Sequence, residues 1–171
     1  MVSSGKSKGR SAVFGGAVPR SQPLGGSGGF EVATMTDQER DRFLAEPRYG
    51  ILNTLRSDGS PVAVPVWFDW NGETLRMFTS VLSPKVRRLQ ADPRASLLVV
   101  NHLTEPESWV AFDGPVSIQE EGGFELAERL APRYWDLSDP ERRSTLELWR
   151  KAAAALRVLE LKPARIRSYK D

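Results

Sequence analysis

The chain has 171 residues, a formal net charge of +2, no cysteine and a single histidine, His102. This length suffices for one domain with a full core. The lack of cysteine excludes disulfides and thiolate metal sites, and one histidine argues against a histidine-built metal centre, so no metal site is predicted. No apolar run approaches the ~18 residues of a membrane span, and the N-terminus lacks the apolar core of a secretory signal. We therefore expect a cytoplasmic protein with no membrane partner.

The first 34 residues carry most of the positive charge, with one acidic residue, Glu31, against four basic ones: Lys6, Lys8, Arg10 and Arg20. The rest of the chain is close to neutral, which argues against a nucleic-acid partner. Residues 1–34 are also rich in Gly and Ser and cannot bury enough apolar surface to offset their ordering entropy. The sequence predicts a disordered extension over 1–34, a natural start near Met35, and a folded domain over 35–171.

The folded part opens with a capping-box pattern, in which Thr36 is followed three residues later by Glu39. This pattern predicts a helix that runs to about Ala45. Two strands follow, over 49–56 and 61–70, and the Asp58-Gly59 pair between them is a strong hairpin signal.

Pro65 lies inside the second of these strands. Proline cannot donate to a sheet ladder, so its position is predicted to be an edge, a bulge or a place where the backbone faces something other than a strand. A third strand, over 73–79, follows the Asn71-Gly72 turn.

The next segment, SPKVRRLQADPR, predicts a short helix with Ser83 as N-cap and Pro84 at the first helical position. Lys85, Arg87 and Arg88 crowd its first turns. Free N–H groups at a helix start favour an anion, and these cations add charge and hydrogen bonds, so we interpret the segment as a phosphate site. The alternative is a solvated basic helix face. Lys85 and Arg88 share one face by their spacing, whereas Arg87 should point more towards solvent.

The second half of the chain adds strands and then helices. Two strands are predicted over 95–101 and 105–120, with a bulge or sharp bend at Gly114-Pro115. Helices over 124–134 and 139–155 precede a closing strand over 156–161 and a final segment over 163–169. The fold class predicted from this order is mainly β with helices (α+β), built on a six-stranded antiparallel barrel.

The ordered series of motifs resembles the pyridoxamine 5'-phosphate oxidase-like split β-barrel superfamily. The motifs are VPVW at 64–67, FTS at 78–80, the SPKVRRLQADPR segment at 83–94, and WVAFDGPVSI at 109–118. The resemblance covers about residues 36–169. It is closest to the branch that uses the deazaflavin coenzyme F-420.

This resemblance implies a homodimer with two cofactor sites at the subunit interface. It implies that Lys85 and Arg88 bind the cofactor phosphate, that Thr79 and Ser83 donate hydroxyls, and that Ser80 adds a backbone contact. The ring system would lie along four consecutive residues: Val64, Pro65, Val66 and Trp67. One departure is Pro84, which stands where members that use flavin mononucleotide (FMN) commonly carry an arginine.

The function implied is an oxidoreductase that transfers hydride from reduced coenzyme F-420 to a small conjugated organic substrate. No residue pair in the sequence demands the role of protein acid or base, so no catalytic residue is assigned. The alternatives are an FMN enzyme resembling the vitamin B6 phosphate oxidases, and a cofactor carrier without turnover.

Several other side chains have open roles at this point. Trp67, Trp70 and Trp109 are expected to pack in the core or in the dimer interface rather than to stack on the cofactor, and they add more aromatic surface than one small barrel can bury. His102 should lie in a turn, with a place in the substrate pocket as the alternative. Arg56 is either solvated or bound to an acidic tail of the coenzyme.

Overall fold

The computed structural model describes residues 33–171, so all but the end of the extension predicted to be disordered lies outside the described residues. Within this range, the helices are α1 (Asp37–Ala45), α2 (Pro84–Ala91), α3 (Gly123–Tyr134) and α4 (Pro140–Lys151), with a 3-10 turn at Ala153–Ala155. The strands are β1 (Gly50–Leu55), β2 (Pro61–Val66), β3 (Asp69–Trp70), β4 (Leu75–Ser80), β5 (Arg94–Val100), β6 (Ser108–Gln119), β7 (Leu156–Leu161) and β8 (Arg165–Lys170). None of these helices is long and apolar enough to cross a membrane.

All strand pairs are antiparallel, in the order β2-β1-β5-β6-β7-β4-β3, and β8 pairs with β6. The predicted class, mainly β with helices in a split barrel, is confirmed. The strand count is eight rather than six, because β3 and β8 form separate strands. Within residues 33–171, β2 is an edge strand of the sheet, so the outer edge of β2 has no strand beside it.

The long strand β6 joins the two parts of the sheet. Its first half lies between β5 and β8, and its last residues pair with β7. The change occurs at Gly114, where a Cβ atom would collide with the carbonyl oxygen of Lys162. Only glycine leaves room for that close backbone approach, and the bulge or sharp bend at Gly114-Pro115 stays a prediction.

The core lies under the inward faces of β1 and β4. On β4 the inward residues are Leu75, Met77 and Thr79, all buried. On β1 they are Gly50, Leu52 and Thr54, also buried. Both inward rows therefore end in a threonine, and the same end of the barrel is where α2 packs through its buried Val86 and Leu89.

The single strand predicted over 61–70 was wrong, because the chain leaves the ladder at Trp67 and Phe68. The N–H of Phe68 donates to the hydroxyl oxygen of Tyr134, 3.3 Å away, instead of to a neighbouring strand. Pairing then resumes for two residues only, in β3. Likewise the strand predicted over 105–120 begins only at Ser108.

Helix α1 is capped as its sequence predicts. The Thr36 N–H donates to Glu39 Oε2 at 2.8 Å, and the Glu39 N–H donates back to Thr36 Oγ1 at 3.3 Å. The helix predicted over 139–155 is shorter than expected, since α4 ends at Lys151 and a 3-10 turn follows.

The tryptophans find aromatic neighbours within the chain. The Trp70 ring lies 5.0 Å from that of Phe112, and the Trp109 ring lies 6.4 Å from that of Tyr169. Trp67 joins a larger cluster described below. All three tryptophans nevertheless remain partly exposed in the single chain, so the expected surplus of aromatic surface and the homodimer both stay predictions.

Candidate anion-binding site

The site is built where helix α2 closes one end of the barrel. Ser83 is the N-cap residue, as predicted, but its side chain makes no capping hydrogen bond with the described residues. The turn before the helix is held instead by Ser80, whose Oγ accepts from the Leu82 N–H at 3.2 Å and whose carbonyl accepts from the Ser83 N–H at 2.9 Å. The Ser83 hydroxyl therefore stays available at the start of the helix.

Lys85 is partly buried and reaches the end of strand β4. Its Nζ donates to Thr79 Oγ1 at 3.2 Å, and Thr79 itself is buried. An ammonium carries three donors and this bond uses one of them. The Thr79 oxygen accepts this bond, so its own proton remains free to donate.

Arg88 lies one turn further along α2 and reaches the end of strand β1. Its Nε donates to Thr54 Oγ1 at 2.8 Å, and Thr54 is only 1% exposed. Sequence reasoning missed Thr54, because a β-branched residue inside a strand is ordinary. The structure thus brings together two cations and two threonine hydroxyls from three elements.

The electrostatics of this cluster are those of a site for an anion. No acidic side chain among residues 33–171 lies within ion-pair distance of Lys85 or Arg88. Burial lowers the pKa of Lys85 below its ordinary value, and the nearby Arg88 charge lowers it further. Partly buried like charges are unfavourable without a counter-charge, so the residues present fit a phosphate group.

Arg87 differs from its neighbours as the helical spacing predicts. It is exposed, whereas Lys85 and Arg88 are partly buried. Arg87 and Arg88 line a groove of about 600 Å³ together with Arg56, whose Nη1 bonds the Ser60 hydroxyl at 3.1 Å. Three guanidinium groups and the carboxylate of Asp92 therefore border one groove. This groove lies beside the anion cluster, the name used here for the group formed by Lys85, Arg88, Thr54 and Thr79.

The strand residues predicted to lie along a cofactor ring, at positions 64–66, alternate between the core and the surface. Val64 and Val66 oppose Leu52 and Gly50 on β1; Val66 is buried in the core and Val64 packs against it. Pro65 is exposed on strand β2, whose other edge has no partner strand in the described chain. The edge position predicted for Pro65 is confirmed, and main-chain groups rather than valine side chains are accessible there.

The Trp67 side chain belongs to an aromatic cluster of strand, loop and helix residues. Its ring stacks on Tyr134 at 4.8 Å with an interplanar angle of 3°, and meets Trp135 edge-on at 4.6 Å. Trp149 and Phe78 complete the cluster. The described aromatic contacts of the Trp67 ring are all within this cluster, and the place of Trp67 beside a cofactor ring stays a prediction.

Tyr134 anchors this cluster with its hydroxyl. The hydroxyl donates to the Arg48 carbonyl oxygen at 2.9 Å, and burial raises the pKa of the phenol. His102 lies in the exposed turn after β5, as predicted. Between residues 33 and 171, no group of three or more acidic, histidine or cysteine side chains could hold a metal ion.

Several solved structures share the fold. A protein described as an F420 reductase is 24% identical, with a TM-score of 0.59 over 74% of this chain and 94% of its own. A conserved hypothetical protein of Mycobacterium tuberculosis is 24% identical, with a TM-score of 0.64 over 82% of this chain and 88% of its own. An FAD-binding protein of Mesorhizobium loti is 20% identical, with a TM-score of 0.57 over 82% of this chain and 99% of its own.

No curated protein matches the chain. The sequence pattern of the family described as pyridoxamine 5'-phosphate oxidase matches residues 36–170, nearly all of the part that the structure describes. The chain belongs to the pyridoxamine 5'-phosphate oxidase family.

Proposed function

We propose that this protein is an oxidoreductase that uses reduced coenzyme F-420 to transfer hydride to a small conjugated organic substrate. One observation carries the proposal: Lys85 and Arg88 are partly buried side by side, held by neutral hydroxyls, with no carboxylate partner among the described residues. A phosphate supplies the charge and acceptors that such a pair needs. The family match and the F420 reductase of the same fold support a flavin-type cofactor.

The anion cluster has the donors for one phosphate. Lys85 and Arg88 bind it through charge-assisted hydrogen bonds, the hydroxyls of Thr79 and Ser83 donate to it, and Ser80 adds a backbone contact. The coenzyme supplies the two-electron hydride chemistry when bound. The chain's part is to hold it and to exclude water from the reacting face.

We place the cofactor ring along residues 64–67. Pro65 lies on β2, whose outer edge has no partner strand among the described residues, so its missing N–H can face the ring without the loss of a ladder hydrogen bond. Trp67 supports the segment from behind by its stack on Tyr134. No protein acid or base is assigned to the reaction.

We place an acidic end of the coenzyme beside Arg56, which lines the groove next to Arg88. We also propose that the site lies at the interface of a cytoplasmic homodimer, as the family resemblance implies. Sedimentation at micromolar concentration tests the assembly, and a monomer there would reject the homodimer.

The test of function is a fluorescence titration of the purified protein with coenzyme F-420 and with FMN, followed by turnover of enones by the reduced coenzyme. We expect tighter binding of F-420 and enone reduction. Tighter FMN binding would assign the protein to the flavin enzymes, and F-420 binding without turnover of any substrate in the panel would make it a carrier. Binding of neither cofactor would reject the proposal.

A further inference from the structure

Thr54 is a polar residue at a position that the fold would fill with an apolar one. It follows Leu52 on the inward face of β1 and is only 1% exposed. A buried hydroxyl costs free energy unless it is hydrogen-bonded, and valine has the same shape without that cost. The described partner of the Thr54 side chain is the guanidinium of Arg88.

The geometry of this bond decides which donors of Arg88 remain. Thr54 Oγ1 accepts from Nε at 2.8 Å. A guanidinium presents its donors in a rigid planar fork, so a bond at Nε fixes the plane and leaves the N–H groups of Nη1 and Nη2 for a second partner. Those two nitrogens form the end of the fork that grips a phosphate in a bidentate manner.

We propose that Thr54 is a positioning residue for the cofactor phosphate, because its buried hydroxyl fixes the Arg88 guanidinium in the orientation that leaves Nη1 and Nη2 available. This inference rests on the proposed function. An arginine has many rotamers, and ordering it at the moment of binding lowers affinity. A guanidinium that is already held in one orientation loses less conformational entropy when the phosphate binds. Arg87, the preceding residue, is exposed and has no hydrogen bond from its side chain within residues 33–171.

The test compares 5-deazariboflavin 5'-phosphate with 5-deazariboflavin, two ligands that differ only in the phosphate. The phosphate contribution is then read as the ratio of the dissociation constant of the unphosphorylated ligand to that of the phosphorylated one. Thr54→Val should reduce that ratio by about three- to tenfold, the range of one hydrogen bond, and leave binding of 5-deazariboflavin unchanged. Thr54→Ser keeps the acceptor and should keep the ratio. Thr145→Val is the matched control, because the Thr145 hydroxyl bonds the Glu141 carbonyl within α4.

A double-mutant cycle separates positioning from general support of the fold. In an Arg88→Met background, Thr54→Val should leave the ratio unchanged, because the group it orients is gone. If Thr54→Val does not fold, the pair Thr54→Ala and Thr54→Ser gives the same comparison. A Thr54→Val ratio equal to that of wild type, or equal losses for both ligands, would overturn the role of Thr54 alone. A wild type with no preference for the phosphorylated ligand would overturn the anion site of the proposed function, and this inference with it.

Discussion

Two neighbouring residues of strand β4 lead to regions of opposite character. Phe78 points out of the barrel into the aromatic cluster, where its ring lies 5.7 Å from Trp67 and 5.3 Å from Trp149. Thr79 points inward and accepts a hydrogen bond from Lys85. The aromatic cluster is held by many ring contacts, whereas the anion cluster is held by two hydrogen bonds between cations and neutral hydroxyls.

This contrast suggests different purposes for the two regions. Aromatic packing is favourable in the free protein and needs no ligand. The cations of the anion cluster are partly desolvated beside each other, which is unfavourable until a counter-charge arrives. Substitutions in the aromatic cluster should therefore change stability, and substitutions in the anion cluster should change binding.

The largest expected effect is on stability. Trp67→Ala removes ring contacts to four aromatic side chains and should lower the free energy of unfolding by about 3 kcal/mol. Trp109→Ala is the matched control, since Trp109 has one aromatic neighbour, Tyr169, at 6.4 Å. Urea denaturation measures both. Equal losses would mean that the cluster around Trp67 is no more stabilising than an ordinary partly buried ring.

The next effect is on affinity. Lys85→Ala should weaken coenzyme F-420 binding by about ten- to a hundredfold, the range of a charge-assisted contact, whereas Arg87→Ala should change it much less. The loss should shrink at high salt, where the wild type also weakens. Fluorescence titration of the three proteins measures it. Equal affinities would place the phosphate elsewhere and return α2 to a solvated basic helix.

The Lys85→Ala variant should hardly change stability. Lys85 is partly buried at the start of α2, so its removal has two opposing effects. Lys85→Ala loses the bond to Thr79 and some packing of the side-chain methylenes. It also removes a desolvated charge beside Arg88, so the two changes offset.

The features that sequence reasoning predicted correctly are local ones. The capping box of Thr36 and Glu39 spans three residues, and the opposite exposure of Arg87 and its neighbours follows from helical spacing. The features it missed depend on contacts distant along the chain. Thr54 and Arg88 are 34 residues apart, so no periodicity could pair them.

The missed break after β2 has the same origin. Trp67 and Phe68 have high strand propensity, and the sequence around them is typical of a continuous strand. Tyr134, 66 residues further along the chain, accepts the Phe68 N–H that a ladder would use. Tertiary contacts therefore decide where this strand ends, and they also turn Trp67 towards α3.

A smaller effect on stability is expected from the hydrogen bonds of the Tyr134 hydroxyl, which tie the aromatic cluster to the backbone. Tyr134→Phe keeps the stack on Trp67 and removes the hydrogen bonds to the Arg48 carbonyl and the Phe68 N–H. We expect a loss of about 1 kcal/mol in the free energy of unfolding. Tyr169→Phe is the control, because the Tyr169 hydroxyl makes no hydrogen bond with the part of the chain described. Equal losses in urea denaturation would assign the stability of the region to ring packing alone.

The smallest effect is a pH dependence that belongs to the anion cluster alone. The pKa of Lys85 is lowered from 10.5, first by burial and then by Arg88. Between the lowered pKa and 10.5, the unfolded chain binds more protons at this residue than the folded one does, so stability should rise with pH across that window. Other groups of the chain also change charge at alkaline pH. The contribution of Lys85 is therefore measured as the difference in the free energy of unfolding between the wild type and Lys85→Met.

Cofactor affinity should move in the opposite direction over the same window. Deprotonation of Lys85 removes the charge that binds the phosphate, so F-420 binding should weaken with rising pH in the wild type more than in Lys85→Met. Urea denaturation and fluorescence titration at matched pH values measure the two slopes. Parallel slopes for the two proteins in both measurements would show that Lys85 keeps its proton there. Opposite pH slopes in the two differences between the wild type and Lys85→Met would show one residue that opposes folding and favours binding, because its charge is unmatched until a phosphate is present.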